Sequence, residues 1–273
     1  MSLLASGQRE RSIAVEGGRR LFLSERVGEG NRLPVLFLSS LAADVTMWNG
    51  VRDHLDRQTV AFDTRGHGRS DVVPGDADLK ALADDAVAVM DAVGLERAVV
   101  CGLSLGGITA MQMAAEVPGR IAGLVLANTA VSFPPAQMWR DRAAMARRGA
   151  FEELVQPTLE RWLTQSYRDA EPETAESVRR MIRSTDPDGY AAACAALATG
   201  DATDALKSFR GPVLAIVGRH DQSTPVARAE EIVSLAQKGE LVVLDAAHVA
   251  AIERAEEFAA ALERFIERIE HHG

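Results

Sequence analysis

Short apolar runs alternate with segments whose apolar residues recur at helical spacing along most of this chain. We predict buried strands at residues 35–39, 59–62, 98–102, 124–127, 213–217 and 241–244. Residues 81–93 repeat apolar positions every three or four residues and end at Gly94, a common helix stop, and residues 255–269 are similarly amphipathic. This alternation is typical of βαβ units, so we expect a mainly parallel sheet flanked by helices.

The alternation is interrupted once, between residues 132 and 209. This stretch shows helical patterns at 139–148, 151–164 and 173–183 but no strand pattern, and Pro157 and Pro172 should interrupt or start helices there. We therefore predict a core in two parts, residues 1–131 and 210–273, with a helical cap formed by residues 132–209.

Composition narrows the class of protein. The 273-residue chain is 47% hydrophobic and 25% charged, as in soluble globular proteins, and no apolar run approaches the roughly 18 residues that span a membrane. The start of the chain does not resemble a signal peptide, and Cys101 and Cys194 provide no disulfide framework, so we expect a cytoplasmic protein. The net charge of −9 argues against nucleic-acid binding, and any anionic ligand would need local arginines.

A lone serine stands between glycines in Gly102-Leu103-Ser104-Leu105-Gly106, where a predicted strand gives way to a helical pattern. The run matches the Gly-x-Ser-x-Gly nucleophile elbow, in which a strained turn exposes the serine hydroxyl above a sheet. The glycines remove side chains that would collide with the adjacent strand and helix. Ser104 is therefore the candidate nucleophile, and the motif in this context resembles that of the α/β-hydrolases.

Two backbone amides are candidates for stabilising an oxyanion at Ser104. The helix that opens at Leu105 has unpaired N–H groups near the serine, so Leu105 is the first candidate. The second donor in such hydrolases comes from the loop after an early strand, where Leu41 lies.

In α/β-hydrolases the acid and then the histidine follow the serine along the chain. His248 comes shortly after an apolar strand, at the sheet edge where Ser104 is expected, and is the predicted general base. Asp221, in the turn after strand 213–217, is the predicted acid, with Asp245 as its competitor. We interpret Asp245 as a loop former and His220 as a structural neighbour of the acid.

The charged run Asp63-Thr64-Arg65-Gly66-His67-Gly68-Arg69-Ser70 suggests catalysis at first sight. Its position after an apolar strand, together with its glycines and polar side chains, instead favours a tight turn that braces neighbouring loops.

Further segments resemble one group of α/β-hydrolases, the 3-oxoadipate enol-lactonases. They are residues 44–48, 62–70, 102–107, 124–129, 138–142, 189–196 and 246–253. The chain departs from that group at Ala251, where an asparagine is common, near Ala198, where an arginine is common, and at Ala42 or Ala43, where a glycine is common. We expect the residues near Ala198 and Ala251, together with the cap, to decide which substrate is accepted.

The resemblance implies an α/β-hydrolase fold, with a mostly parallel eight-stranded sheet and an inserted helical cap. It also implies an enzyme without cofactor or metal that opens an enol-lactone ring in aromatic catabolism. Because 3-oxoadipate enol-lactone carries a carboxylate, Arg140, Arg142 and Arg161 are candidate binding residues, with exposed helix faces as the alternative. Trp139 and Trp162 are candidate pocket walls or core residues.

Other functions stay open. A serine carboxylesterase or C–C bond hydrolase with a different small substrate would use the same three catalytic residues. A ligand-sensing protein of this fold is a further alternative. Independently of its function, the protein could assemble into a homo-oligomer.

Overall fold

The computed structural model describes residues 7–28 and 32–272. The strands are β1 (Gln8–Ala14), β2 (Arg20–Arg26), β3 (Val35–Leu38), β4 (Thr59–Phe62), β5 (Ala98–Leu103), β6 (Ile121–Ala127), β7 (Val213–Gly218) and β8 (Gly239–Leu244). The helices are α1 (Asn49–Asp53), α2 (Leu79–Ala92), α3 (Leu105–Glu116), α4 (Ala136–Arg147), α5 (Glu152–Trp162), α6 (Gln165–Ala170), α7 (Pro172–Arg183), α8 (Pro187–Thr199), α9 (Thr203–Ser208), α10 (Val226–Leu235), α11 (Ala250–Glu253) and α12 (Ala255–His272). The first six residues, on which the signal-peptide prediction partly rests, lie outside the described residues.

The eight strands form one sheet in the order β1-β2-β4-β3-β5-β6-β7-β8. The pairs β1–β2 and β2–β4 are antiparallel, and every other pair is parallel. The central strands β3 to β7 are buried along their whole length, which explains their continuous apolar runs. The expected α/β-hydrolase fold, with its mostly parallel sheet, is confirmed.

Strands β1 and β2 have no counterpart among the six strands predicted from the apolar pattern. In β1 only Ile13 is buried, and most of the other side chains of that strand are exposed. A strand that contributes so little to the core shows no continuous apolar run, so hydrophobicity alone does not reveal it.

Helices α4 to α9 all lie between β6 and β7 in the chain, where the sequence predicts an insertion. Pro172 is the first residue of α7, as predicted, but Pro157 lies inside α5 without ending it. Helix α8 has no predicted counterpart because it is buried on nearly all sides between Gly189 and Leu197, so no polar face marks its period. The division of the chain at residues 132 and 209 stays a prediction.

The topology places three loops at one edge of the sheet. Strands β5, β7 and β8 run parallel, so their carboxyl ends meet at the same edge. Ser104 directly follows β5, and Asp221 and His248 lie in the loops after β7 and β8. None of the helices in the described part of the chain has the length and apolarity needed to cross a lipid bilayer.

Candidate active site

Ser104 sits in a strained turn between β5 and α3. Its backbone has φ 55° and ψ −110°, a conformation that L-residues rarely adopt. A Cβ on Gly102 would lie 2.1 Å from the carbonyl oxygen of Gly106, and a Cβ on Gly106 would lie 2.1 Å from that of Leu38. The two glycines therefore allow the strand and helix to approach closely enough to form this turn.

The structure brings Asp221 and His248 into direct contact. The Nδ1 atom of His248 lies 2.9 Å from the Oδ2 atom of Asp221, and both side chains are buried. The other oxygen of this carboxylate accepts hydrogen bonds from the N–H groups of Ser223 (2.8 Å) and Thr224 (3.0 Å). The hydroxyl of Thr224 donates to Oδ2 at 2.6 Å. These contacts fix the orientation of the carboxylate toward the imidazole.

The charge state of Asp221 follows from the same contacts. Burial on its own raises the pKa of the Asp221 carboxyl, but the neighbouring His248 and the hydrogen bonds from His248 and Thr224 outweigh it and lower the pKa to about 2. Asp221 is therefore ionised near neutral pH, as a group that stabilises a protonated imidazole must be.

The competitor acid lies elsewhere. Asp245 is exposed, and its Oδ1 atom lies 3.0 Å from the Nε2 atom of His220. His220 directly precedes Asp221 in the sequence, and its ring contacts Asp245 at the surface. Asp245 and His220 thus form a surface pair away from the imidazole of His248.

Of the two predicted oxyanion donors, Leu105 directly follows Ser104 in the chain and Leu41 lines the same cavity as Ser104. Leu105 is the first residue of α3, so its N–H has no carbonyl within the helix to bond. Leu41 lies in a turn closed by a hydrogen bond from the N–H of Ala43 to the carbonyl of Ser40 (3.1 Å). In this turn Ala42 has φ 65°, the left-handed conformation that favours glycine, so the shape is kept without the glycine common in the enol-lactonases.

Ser104 and His248 open into one cavity of about 270 Å³. Its wall combines apolar side chains, such as Phe133 and Trp139, with three arginines, Arg142, Arg161 and Arg228. Among the described residues, no aspartate or glutamate lines the cavity. In a chain of net charge −9, this concentration of positive charge makes the cavity suited to an anionic ligand.

Three of the four predicted substrate-binding residues line this cavity, namely Trp139, Arg142 and Arg161. The guanidinium of Arg142 lies 4.8 Å from the ring centre of Trp139, and that of Arg161 donates to the hydroxyl of Thr158 at 2.9 Å. Burial, and after it the nearby charge of Arg142, lower the pKa of Arg161, and Tyr190 and Glu160 oppose this shift only in part. Arg140 is exposed and lies outside the cavity wall, because its position on α4 turns it to the other side.

The two alanines expected to decide the substrate do not line this cavity. Ala198 packs against the core, and Ala251 lines a separate groove of about 370 Å³ beside Tyr167 and Met181. The expectation that residues near these two positions decide the substrate stays a prediction, and neither alanine contributes to the wall of this cavity. Ala42, the third kind of departure, does line the cavity.

Two cavity residues, Arg228 and Tyr190, are not among the predicted substrate-binding residues. Arg228 lies in the first turn of α10, where it pairs with Glu231 at 3.0 Å, and Tyr190 lies in the buried helix α8. An arginine in an amphipathic helix is usually exposed, so only the packing of α10 beside the cavity identifies Arg228. The tryptophan Trp162, predicted as pocket wall or core, lies in the wall and is buried.

The charged run from Asp63 to Ser70 supports loops, and none of its residues belongs to the cavity wall. The Asp63 carboxylate accepts hydrogen bonds from the N–H groups of Val45 (2.7 Å) and Arg69 (2.9 Å). Arg65 forms a buried ion pair with Asp85 (2.6 Å). A larger open groove of about 890 Å³ lies at the opposite edge of the sheet and contains none of the predicted site residues.

Comparison with known proteins agrees with this fold. Residues 34–255 match the family described as alpha/beta hydrolase fold. The chain is 30% identical over 243 residues to 3-oxoadipate enol-lactonase 2 of Acinetobacter baylyi, covering 88% of this chain and 91% of that protein. Its structure superposes on the enol-lactonase from Burkholderia xenovorans with a TM-score of 0.90 and 32% identity, over 94% of this chain and 100% of the other.

A thermophilic esterase from Thermogutta terrifontis, in a structure titled as malate bound, has a TM-score of 0.88 and 31% identity, over 96% of this chain and 99% of that one. The family match spans most of the chain, and it includes the elbow and the loops that carry Asp221 and His248. This chain belongs to the α/β-hydrolase fold family and is a hydrolase.

Proposed function

We propose that this hydrolase cleaves lactones or esters that carry a carboxylate, with Ser104 as nucleophile, His248 as general base and Asp221 as the acid that orients it. The observation that carries the proposal is the cavity itself. Ser104 and His248 share it with Arg142, Arg161 and Arg228, and no acidic side chain among the described residues lines it. An anionic substrate would offset the repulsion between Arg142 and Arg161.

The geometry supports acyl transfer through the serine. His248 removes the proton of the Ser104 hydroxyl as its oxygen attacks the ester or lactone carbonyl, and Asp221 stabilises the imidazolium that forms. The N–H groups of Leu41 and Leu105 stabilise the oxyanion of the tetrahedral intermediate. The leaving oxygen then takes the proton from His248, which makes the imidazole neutral again, and in a lactone this oxygen stays on the same molecule. Water activated by His248 then releases the acid and restores Ser104.

Among substrates of this class, 3-oxoadipate enol-lactone is the first candidate. The relatives from Acinetobacter baylyi and Burkholderia xenovorans bear the name enol-lactonase. The second candidate is another small carboxylate-bearing ester, which would make the protein a carboxylesterase. It is favoured by the Thermogutta terrifontis esterase, whose structure is titled with bound malate, a dicarboxylate.

The decisive experiment measures the loss of 3-oxoadipate enol-lactone absorbance with the purified protein, beside a neutral p-nitrophenyl ester. We expect faster turnover of the lactone, and loss of both activities in Ser104→Ala by at least about a thousandfold. Turnover of the neutral ester with no loss of lactone would overturn the lactonase assignment and favour the esterase. Unchanged turnover in Ser104→Ala would exclude Ser104 as nucleophile.

A further inference from the structure

A buried glutamate joins the inserted helices to the loop that carries His248. Glu253 ends helix α11 and is 6% exposed. Its Oε1 atom accepts hydrogen bonds from the N–H of Thr164 (2.8 Å) and the N–H of Ala247 (3.0 Å), and its Oε2 atom accepts from the hydroxyl of Thr164 (2.8 Å). One carboxylate thus bridges Thr164, the residue just before α6, and Ala247, the residue just before His248.

No cation neutralises this carboxylate within the part of the chain that the structure describes, since Glu253 forms no salt bridge there. Three donors to one buried carboxylate satisfy it without a counter-ion. A glutamate used only to stabilise the core could be replaced by an apolar residue, whereas this one satisfies backbone N–H groups on two separate segments.

Two further hydrogen bonds cross the same boundary. The carbonyl of Arg161 accepts from the N–H of His248 at 3.4 Å, and the carbonyl of Trp162 accepts from the N–H of Val249 at 3.0 Å. The side chain of Arg161 lines the cavity. The backbone of this candidate carboxylate-binding residue is therefore held against the backbone of the candidate base.

We propose that Glu253 is a positioning residue that couples capture of the substrate carboxylate at Arg161 to the placement of the His248 imidazole. The inference rests on the proposed function. Glu253 and the backbone hydrogen bond at Arg161 hold the two segments as one unit, so a carboxylate bound at Arg161 lies at a fixed position relative to His248. Without the bridge, Arg161 still attracts the anion, but the imidazole is no longer held at the distance that proton transfer from Ser104 requires.

Paired substitutions separate this role from general stabilisation. In Glu253→Gln the Oε1 atom still accepts from Thr164 and Ala247, and the new amide donates to the Thr164 hydroxyl, so we expect kcat within about threefold of wild type. In Glu253→Met the side chain keeps its volume but accepts nothing, so we expect kcat to fall by about 10- to 100-fold, with KM for a neutral ester nearly unchanged.

Coupling to Arg161 is tested by combining substitutions. If the two residues acted independently, the losses in kcat/KM of Glu253→Met and Arg161→Met on the carboxylate-bearing substrate would multiply in the double variant. We expect the kcat/KM of the double variant to exceed that product by about fivefold or more. On the neutral ester, Arg161→Met alone has little effect, so the double variant behaves as Glu253→Met. The shorter Glu253→Asp, which cannot reach donors on both segments, gives an intermediate kcat and serves as the second variant if Glu253→Met does not fold.

The matched control is Glu263→Met. Glu263 lies on α12, away from the histidine loop, and its carboxylate accepts a hydrogen bond from the buried guanidinium of Arg57 at 2.9 Å. We expect Glu263→Met to lower the melting temperature and to leave kcat unchanged. Wild-type kcat in Glu253→Met, or independent effects in the double variant, would overturn the positioning role. A Ser104→Ala protein that retains activity would instead overturn the proposed function.

Discussion

The side-chain amide of Asn128 donates a hydrogen bond to Asp221 Oδ2 at 2.9 Å, the same oxygen that His248 contacts. The amide also donates to the carbonyl of Ala247, just before His248, at 3.2 Å. Asn128 follows β6, and its backbone has φ 43°, a left-handed conformation that asparagine tolerates better than most residues. One asparagine thus links the loop of the acid to the loop of the histidine.

Two substitutions of Asn128 distinguish the contribution of its side-chain hydrogen bonds from that of its backbone conformation. Asn128→Gly loses the bond to a buried carboxylate, which should cost about 1.5–3 kcal/mol of unfolding free energy and lower kcat on esters. Asn128→Ala should lose about a further 1 kcal/mol, because alanine resists the positive φ. Urea unfolding and steady-state kinetics of both variants measure the two contributions. Equal stability of Asn128→Gly and Asn128→Ala would mean that the positive φ at this position does not strain an alanine.

The closeness of α3 to β3 makes Gly106 intolerant of a methyl group. In Gly106→Ala the new Cβ would meet the backbone oxygen of Leu38, which cannot move aside as a side chain can. We expect a loss of about 3 kcal/mol or more, together with loss of activity as the elbow shifts. Gly119→Ala is the control, since no neighbouring atom lies within 4 Å of the place its methyl group would take and its φ is ordinary. Chemical denaturation should show a change within about 0.5 kcal/mol there.

Asp63 makes stability depend on pH in a predictable direction. Burial raises the pKa of its carboxyl from 3.8 to about 6. The folded protein therefore binds this proton more tightly than the unfolded chain does. The stability contributed by Asp63 is present below about pH 4 and is lost as the pH rises through about 6, a change of about 3 kcal/mol.

Asp63→Asn removes this titration, although it also loses one acceptor for the N–H of Val45 or Arg69 at every pH. The variant should be less stable than wild type at about pH 4, and the difference should narrow by about 3 kcal/mol by about pH 7. Urea unfolding of both proteins across this range gives the comparison. A difference that does not change with pH would rule out the raised pKa.

The sequence predicts the parts of this site that depend on chain order and strand ends. Ser104, Asp221 and His248 each follow a strand with a clear apolar run, so their meeting at one sheet edge follows from parallel pairing. Glycine spacing likewise predicts the turn at Ser104, because few other residues allow so close an approach.

The residues that sequence reasoning misses depend on tertiary contacts. Glu253 and Asn128 act across distances of 89 and 93 residues in the chain, to Thr164 and Asp221, and no local pattern encodes such pairs. Likewise Ala251 looks like a substrate-determining position in sequence, but it lies in helix α11 and lines a different groove. Side-chain direction at loops and inserted helices is set by packing, which periodicity does not specify.

Arg140 and Arg142 offer a matched test of which arginines contact substrate. Both lie on α4 and are equal candidates from the sequence, yet only Arg142 lines the cavity with Ser104, while Arg140 is exposed. Because a charge-assisted bond to carboxylate contributes about 1.5–3 kcal/mol, Arg142→Met should raise KM for a carboxylate-bearing substrate by about 10- to 100-fold. Its effect on a neutral ester should be small, since that substrate makes no such bond.

Arg140→Met removes the same charge from the same helix, but at an exposed position, and should leave both substrates unaffected. Steady-state kinetics of the two variants at two salt concentrations completes the test, because KM for the anionic substrate should depend less on salt in Arg142→Met than in wild type. If Arg140→Met and Arg142→Met raise KM for the anionic substrate equally, the effect comes from the overall charge of the inserted helices. A specific rise in Arg142→Met alone means that the substrate carboxylate lies in the cavity beside the ring of Trp139.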